Sequence, residues 1–236
     1  MLPANRVSQG AFETALSIDG TQLEADGHYA IFVNVVSAKG ESERVSATYL
    51  NLTGTSPQQK NGFADVPSTH SLYKAVQWAN EKKLLDPHEK TWFGANDNAT
   101  RGDLTVALYR LAGSPKVTLP ATSPYKDVKT TDPNYSAYIW ARQKGITYGW
   151  ADGNFHAEAG VSNATVAAFL YRYDGKKRVT VTQAPYTDVK VGSAFYREIT
   201  WAKQRNLQVF PGSNYYPTAL ASRGELAGFL MNYAGR

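Results

Sequence analysis

Cysteine is absent from all 236 residues. That removes disulfides, thiolate nucleophiles and cysteine-ligated metal sites. Long apolar runs are absent as well. No stretch reaches the ~18 consecutive apolar residues that mark a membrane-spanning helix, so no membrane span is expected. Met1–Gly10 carries no apolar segment of the kind a secretory signal needs, so none is expected there. Histidine is scarce, at positions 28, 70, 88 and 156, with no His-x-x-x-His spacing, so no metal and no cofactor is expected. Charged side chains make up only 19% of the chain, whereas hydrophobic residues reach 42% and aromatics 12%. That balance is too apolar for a disordered chain and supports a buried core.

Charge is unevenly distributed. The chain as a whole carries 25 Lys and Arg against 20 Asp and Glu, net +5. Residues 1–62 hold four basic side chains (Arg6, Lys39, Arg44, Lys60) and six acidic ones, net −2, which leaves 21 basic and 14 acidic, net +7, for the remainder. All five tryptophans, at 78, 92, 140, 150 and 201, lie in the second part. A ligand is therefore expected to bind there. The basic residues form no stripe with interleaved aromatics, so nucleic acid is not expected as a partner.

The second part is built on a repeat. Phe63-Ala64-Asp65-Val66, Tyr125-Lys126-Asp127-Val128 and Tyr186-Thr187-Asp188-Val189 open three segments whose aspartates are 62 and 61 positions apart. Thirteen positions after each Asp stands a Trp-Ala pair (Trp78, Trp140, Trp201), eight after it a tyrosine (Tyr73, Tyr135, Tyr196), and nineteen after it an aliphatic residue (Leu84, Ile146, Leu207). The units end on Leu108–Gly113, Leu170–Gly175 and Leu230–Gly235. A period of this length signals a repeat architecture.

Each unit reads as helix, loop, helix. The first helix, from about Leu72 to Lys83 in unit 1, is apolar nearly all round, and three such helices are expected to form a central bundle. Gly145 and Asn206 stand where a left-handed C-terminal cap is wanted. The second helix opens on Thr100-Arg101-Gly102-Asp103 and Ser222-Arg223-Gly224-Glu225, two capping boxes. In the middle unit Ser162-Asn163-Ala164-Thr165 keeps the cap and loses the acid. The aspartates at 65, 127 and 188 are expected in capping or turn roles. The intervening loops, rich in aromatics, Gly and Asn, are long enough to be functional.

Phe/Tyr-x-Asp-Val, Trp-Ala, the run Gly145–Phe155 and Thr-Arg-x-Asp/Glu, in this order and three times over residues 63–236, resemble the S-layer homology family. Unit 1 departs from the pattern with Asp86-Pro87 where glycine is expected. The resemblance implies a mainly α fold, a pseudo-threefold, three-pronged bundle of three helix-loop-helix units at 63–114, 125–175 and 186–236. It also implies an exported, non-catalytic module that anchors a larger protein to the bacterial cell wall. The implied partner is a secondary cell-wall polysaccharide or peptidoglycan-linked glycan, often bearing acidic ketal-pyruvate groups, held in grooves between units. The Arg of the Thr-Arg motif is implied to be central to that binding.

Physical chemistry also draws attention to this arginine. A cation at the first helical position opposes the helix dipole, so Arg101 and Arg223 are expected to serve an anion, together with free N–H groups at the helix start. Asn163 in the middle unit predicts a weaker or silent groove. Trp92 and Trp150 are candidate sugar platforms, with Gly149, Asp152 and Gly212 in the same loops. Trp78, Trp140 and Trp201 are expected to be core or groove wall. The competing readings are a two-carboxylate glycosidase, for which no nucleophile–base pairing stands out, and a protein–protein or surface-layer assembly module.

Residues 1–57 are expected to be a partial β-sandwich-like segment with a linker, in which 11–54 alternate like strands at Phe12–Ile18, Tyr29–Ser37 and Val45–Leu52. Leu23 and Tyr29, six positions apart, resemble the tyrosine corner of a fibronectin type III module, of which about half is present. Thr53–Lys60 reads as a linker.

Overall fold

The computed structural model describes residues 28–36, 42–51, 62–180 and 183–235. The chain divides into two units, Met1–Gln58 and Gln59–Arg236. In the first, β1 (His28–Val36) pairs antiparallel with β2 (Ser42–Asn51). The register runs from His28 opposite Asn51 to Val36 opposite Ser42, with a bulge after Val33. A hairpin of this kind is common to many β folds and does not single out a fibronectin type III module. The expected strand at 12–18 and the linker at 53–60 lie outside the described residues.

The second unit is helical. Its elements are α1 (Tyr73–Glu81), α2 (Arg101–Leu111), α3 (Tyr135–Gln143), α4 (Asn163–Tyr173), α5 (Tyr196–Gln204) and α6 (Arg223–Ala234). The caps follow the sequence. Thr100 and Ser222 each accept from the N–H three residues on, and Asp103 and Glu225 each accept from the cap N–H in return. Ser162 accepts from the Thr165 N–H, with no returning acid. At the other end of the first helices, Gly145 and Asn206 hold φ of +66° and +52°, as expected, while unit 1 places Lys83 there at +54°.

The helices pack in a cycle. Each second helix meets the first helix of the following unit: α2 with α3, α4 with α5, and α6 back onto α1. This corrects the expected central bundle of first helices. α1 buries only Ala75, Val76 and Ala79, with Tyr73 and Trp78 partly covered. The second helices go deeper. Leu104 and Leu108, Val166 and Leu170, and Leu226 and Leu230 are fully buried, and α4 and α6 also touch. Their small residues, Ala167, Ala168, Ala227 and Gly228, are buried too, and a Cβ at Gly228 would stand 2.5 Å from the Val209 side chain.

A ring of backbone hydrogen bonds closes the cycle just before the second helices. Ala99 N–H donates to the Ala221 carbonyl, Ala221 N–H to Val161 and Val161 N–H to Ala99, each at 2.9 Å. Three equivalent residues thus hold one another around a pseudo-threefold axis, and all three are buried. A buried N–H without a partner costs about 1–3 kcal/mol, so the ring fixes where each unit begins its second helix.

Candidate functional site at the joins between units

Each join is made by three parts. The opening aspartate of a unit accepts two N–H groups from its own loop. Asp65 accepts from Phe93 and Ala95 at 2.8 and 2.7 Å, Asp127 from Phe155 and His156 at 2.7 Å each, and Asp188 from Tyr215 and Tyr216 at 2.8 and 2.7 Å. These aspartates therefore do not cap a helix. They pin the loop about 28 positions on. Burial raises the Asp127 carboxyl, but the N–H bonds from Phe155 and His156 outweigh it and hold the group below the usual carboxylate range.

The pinned ring, Phe93, Phe155 or Tyr215, is fully buried, and its carbonyl faces the helix start of the preceding unit. Arg101 Nε donates to the Phe155 carbonyl at 3.0 Å, and Arg223 Nε to the Phe93 carbonyl at 3.4 Å. Asn163 Nδ2 donates to the Tyr215 and Tyr216 carbonyls at 3.4 and 3.1 Å. The Arg101 guanidinium lies 5.3 Å from the centroids of both Phe155 and Phe169, and that of Arg223 lies 5.2 Å from Phe93. Arg101 is 6% exposed and Arg223 3%. They clamp one unit to the next as well as offering charge, which the sequence pattern did not reveal.

The helix starts are not free. Arg101 and Gly102 N–H donate to the Ala159 and Ala157 carbonyls, Asn163 and Ala164 to Ala219 and Pro217, and Arg223 and Gly224 to Asp97 and Ala95. The expected anion cradle of unused N–H groups is therefore absent at these positions. The threefold cycle consumes those donors.

The three joins differ in charge. Arg223 Nη1 donates to the Asp103 carboxylate at 2.9 Å, so the cation of unit 3 is paired with the capping acid of unit 1. Its Nη2 donates to the Asp86 carbonyl at 2.5 Å. The position facing Arg101 by the same rule is Thr165, which carries no charge. Among the described residues no carboxylate pairs with Arg101, and its Nη1 has no hydrogen bond. Its remaining bond runs from Nη2 to the buried Thr147 hydroxyl at 2.9 Å. Burial lowers the Arg101 pKa, with Tyr125 and Asp127 offsetting part of the effect and Arg172 adding to it. In the third join the Arg is Asn163 and the facing acid, Glu225, is kept. The Asn163 Oδ1 is buried without a partner.

Around these joins lie the remaining candidates. Tyr148 and Trp150 are 66% and 51% exposed on the unit 2 loop, with the Arg142 guanidinium 5.5 Å from the Tyr148 ring. The Trp150 ring lies 4.2 Å from that of His156, whose Nε2 is 2.6 Å from the Asp152 carboxylate. Asp152 also accepts from the Asn154 N–H, so it shapes the loop. Gly149 holds φ +84°, where a Cβ would sit 2.6 Å from the Asn154 carbonyl. Gly212 lies at φ +103° on an exposed stretch of the unit 3 loop with no neighbour near its Cβ position. Trp92 is half-buried, and its backbone bridges to Glu89. Trp140 and Trp201 are buried and Trp78 is partly so, matching their expected place in the core or wall.

A groove of about 590 Å³ runs past the Arg223 join. It is lined by Asp86, His88, Asp103, Arg110, Tyr138 and Glu158, among others. Asp86-Pro87, the departure noted in the sequence, forms part of this wall, and Asp86 pairs with Arg110 at 2.7 Å. Both guanidinium groups here are already met by acids. Burial, with Asp132 nearby, pushes the Tyr138 hydroxyl up to about 12, so it remains a donor at any ordinary pH. No helix among the described residues is long and apolar enough to cross a membrane, and no cluster of metal-binding side chains occurs among them.

A closed cycle of short helix-loop-helix units, with a groove at the Arg223 join, defines a helical repeat module. The family model of the S-layer homology domain matches two segments of the chain, residues 62–105 and 124–167. S-layer homology domains are non-catalytic modules that anchor surface proteins at the cell wall by binding cell-wall polymers. No curated protein matches the chain.

Proposed function

We propose that this chain anchors a surface protein to the cell wall by binding an acidic secondary wall polysaccharide at the joins between its units. In this reading residues 186–236 form a third S-layer homology domain. Asp188 pins its loop as Asp65 and Asp127 pin theirs, and Ser222 and Glu225 repeat the capping box of unit 1. The groove at the Arg223 join suits a glycan because its walls combine carboxylates, guanidinium groups and the Tyr138 hydroxyl, which bond sugar hydroxyls directionally.

One observation carries the acidic specificity. Arg101 is a buried cation without a carboxylate partner, and its Nη1 is unused, whereas Arg223 is neutralised by Asp103. An acidic group on the glycan supplies what Thr165 does not. Charge-assisted hydrogen bonds of this kind are the strong ones. The exposed Tyr148 and Trp150, on the loop that Arg101 grips, offer flat faces to the adjoining sugar.

The experiment is co-sedimentation with wall sacculi, before and after chemical removal of the secondary polysaccharide. Thr165→Asp installs the missing counter-charge and leaves the Arg101 clamp in place. It should weaken binding about tenfold, equivalent to ~1.4 kcal/mol. Binding that ignores both the substitution and the stripping would sink the proposal.

A further inference from the structure

At the opposite end of the second helices, away from the clamps, lies a pocket of about 460 Å³. Its walls are Ala112 and Pro115 after α2, Trp140 and Lys144 on and just after α3, and Arg172, Tyr173 and Gly175 at the end of α4. No acidic side chain lines it. Lys144 makes no ion pair and no side-chain hydrogen bond among the described residues. Arg172 spends Nη1 on the Ile146 carbonyl at 2.9 Å and has no acid partner, and the Tyr173 hydroxyl has no partner either. Trp140 is 97% buried, and its Nε1 donor is unpaired. The unmet donors of Lys144, Arg172 and Tyr173 in one concavity call for an acceptor.

The repeat shows what belongs there. Advancing each position by one unit turns Ala112 into Asp174, Trp140 into Trp201, Lys144 into Arg205, Arg172 into Asn232 and Tyr173 into Tyr233. At that sister position the Asp174 carboxylate sits against the tyrosine and two cations, while the Trp201 Nε1 stays unpaired as that of Trp140 does. Tyr233 donates to its Oδ1 at 3.1 Å, Arg205 Nη2 lies 3.3 Å from its Oδ2, and Lys177 Nζ lies 3.3 Å from Oδ1. The protein has thus placed its own carboxylate in one copy of the site and an alanine in the other. In the third copy, Ala234 takes the place of the aspartate and Leu111 that of the tyrosine, and Arg110 is paired with Asp86. The carbonyls at the ends of α2 and α4 oppose an anion, and two cations are needed to offset them. Asp174, itself at the end of α4, meets the same opposition and is held by two cations.

We infer that the Lys144–Arg172–Tyr173 pocket binds a carboxylate-bearing sugar, its carboxylate taking the place that Asp174 occupies in the sister site. The pocket is far larger than a lone carboxylate needs. Its Pro115 wall and aromatic edges suit the C–H face of a sugar ring, and its hydrogen-bonding side chains can all donate. This site is separate from the Arg101 join and does not depend on the wall-binding reading.

The test is an NMR titration of the full chain with glucuronate, glucose and N-acetylglutamate, following the indole N–H resonances. Glucuronate should shift the Trp140 resonance saturably and leave that of Trp201 in place, while glucose at the same concentration should shift neither. Ala112→Asp, which copies the sister site, should weaken glucuronate binding at least tenfold. Lys144→Met, at an exposed position, should do the same without touching the core and decides the matter if the first variant does not fold. Thr165→Asp should leave this binding unchanged. Undiminished binding by Lys144→Met overturns the inference. So does a shift centred on Thr147 and Gly149, which would place the sugar at the Arg101 join. Equal binding of N-acetylglutamate overturns the assignment to a sugar.

Discussion

Arg223 and Asp103 stand 120 positions apart in the sequence and meet at 2.9 Å, closing the third unit onto the first. Asp103 serves twice, because it also accepts from the Thr100 N–H at 3.0 Å in the capping box of α2. One carboxylate therefore joins the start of a helix to the closure of the whole cycle.

Replacing Asp103 by Asn leaves Arg223 buried without its counter-charge and weakens the cap. The expected loss is about 2–4 kcal/mol, near the lower end for breaking a buried pair because Asp103 is partly exposed. Equilibrium urea unfolding of the full chain measures it. A change below about 0.5 kcal/mol, the level of an ordinary surface substitution, would contradict the proposed closure.

Arg101→Ala should behave as a folding variant as well as a binding variant. The substitution frees the Phe155 carbonyl and the Thr147 hydroxyl and empties the space between the Phe155 and Phe169 rings. A cost of about 2–4 kcal/mol follows from lost charge-assisted bonds, cation–π contact and packing. Thermal unfolding compared with that of Thr165→Asp separates the two roles, since the latter keeps the clamp.

Gly149→Ala should disorder the unit 2 loop. The backbone there is left-handed, and a Cβ would stand 2.6 Å from the Asn154 carbonyl and 2.9 Å from the Tyr125 ring. Strain in the left-handed region alone costs about 1–2 kcal/mol. The readout is the exchange of the Trp150 and Phe155 amide hydrogens, which should quicken while those of α4 stay protected.

The pH dependence of the same loop follows from Asp127. Its carboxyl titrates below the ordinary range when folded, so its stabilising effect is fully present above the unfolded carboxylate pKa. That contribution is lost as pH falls through the depressed folded value. Loop order should therefore persist from neutral pH through the ordinary carboxylate range and fail only in stronger acid. Asp127→Asn should remove this acid limb from an amide-exchange profile while leaving the neutral-pH fold recognisable.

Much of this architecture was legible in the chain. The period of 61–62 residues, the capping residues and the left-handed positions at Gly145 and Asn206 are local, and each appears where the spacing put it. The tryptophans at 140 and 201 were legible as core or wall through their place in the first helices. The role of Asp65, Asp127 and Asp188 was not, because their partners lie about 28 positions away and share no side-chain signature: the contacts are with backbone N–H. Thr147 was missed for a related reason. It matters through Arg101, the arginine of another unit that donates to it.

By itself the sequence determined that three similar helix-loop-helix units would form, because capping, turn and hydrophobic spacing act over a few residues. It also recorded that the middle unit lacks both Arg and acid, at Asn163 and Thr165. Only the tertiary structure decided that Arg223, the first residue of α6, meets Asp103, the third residue of α2, an offset that the repeat carries to the other joins by position. That cyclic offset separates the two losses. It gives one join a buried, unpaired Arg101 and another the acid Glu225 opposite Asn163. Long-range packing sets the offset, through the ring of Ala99, Val161 and Ala221.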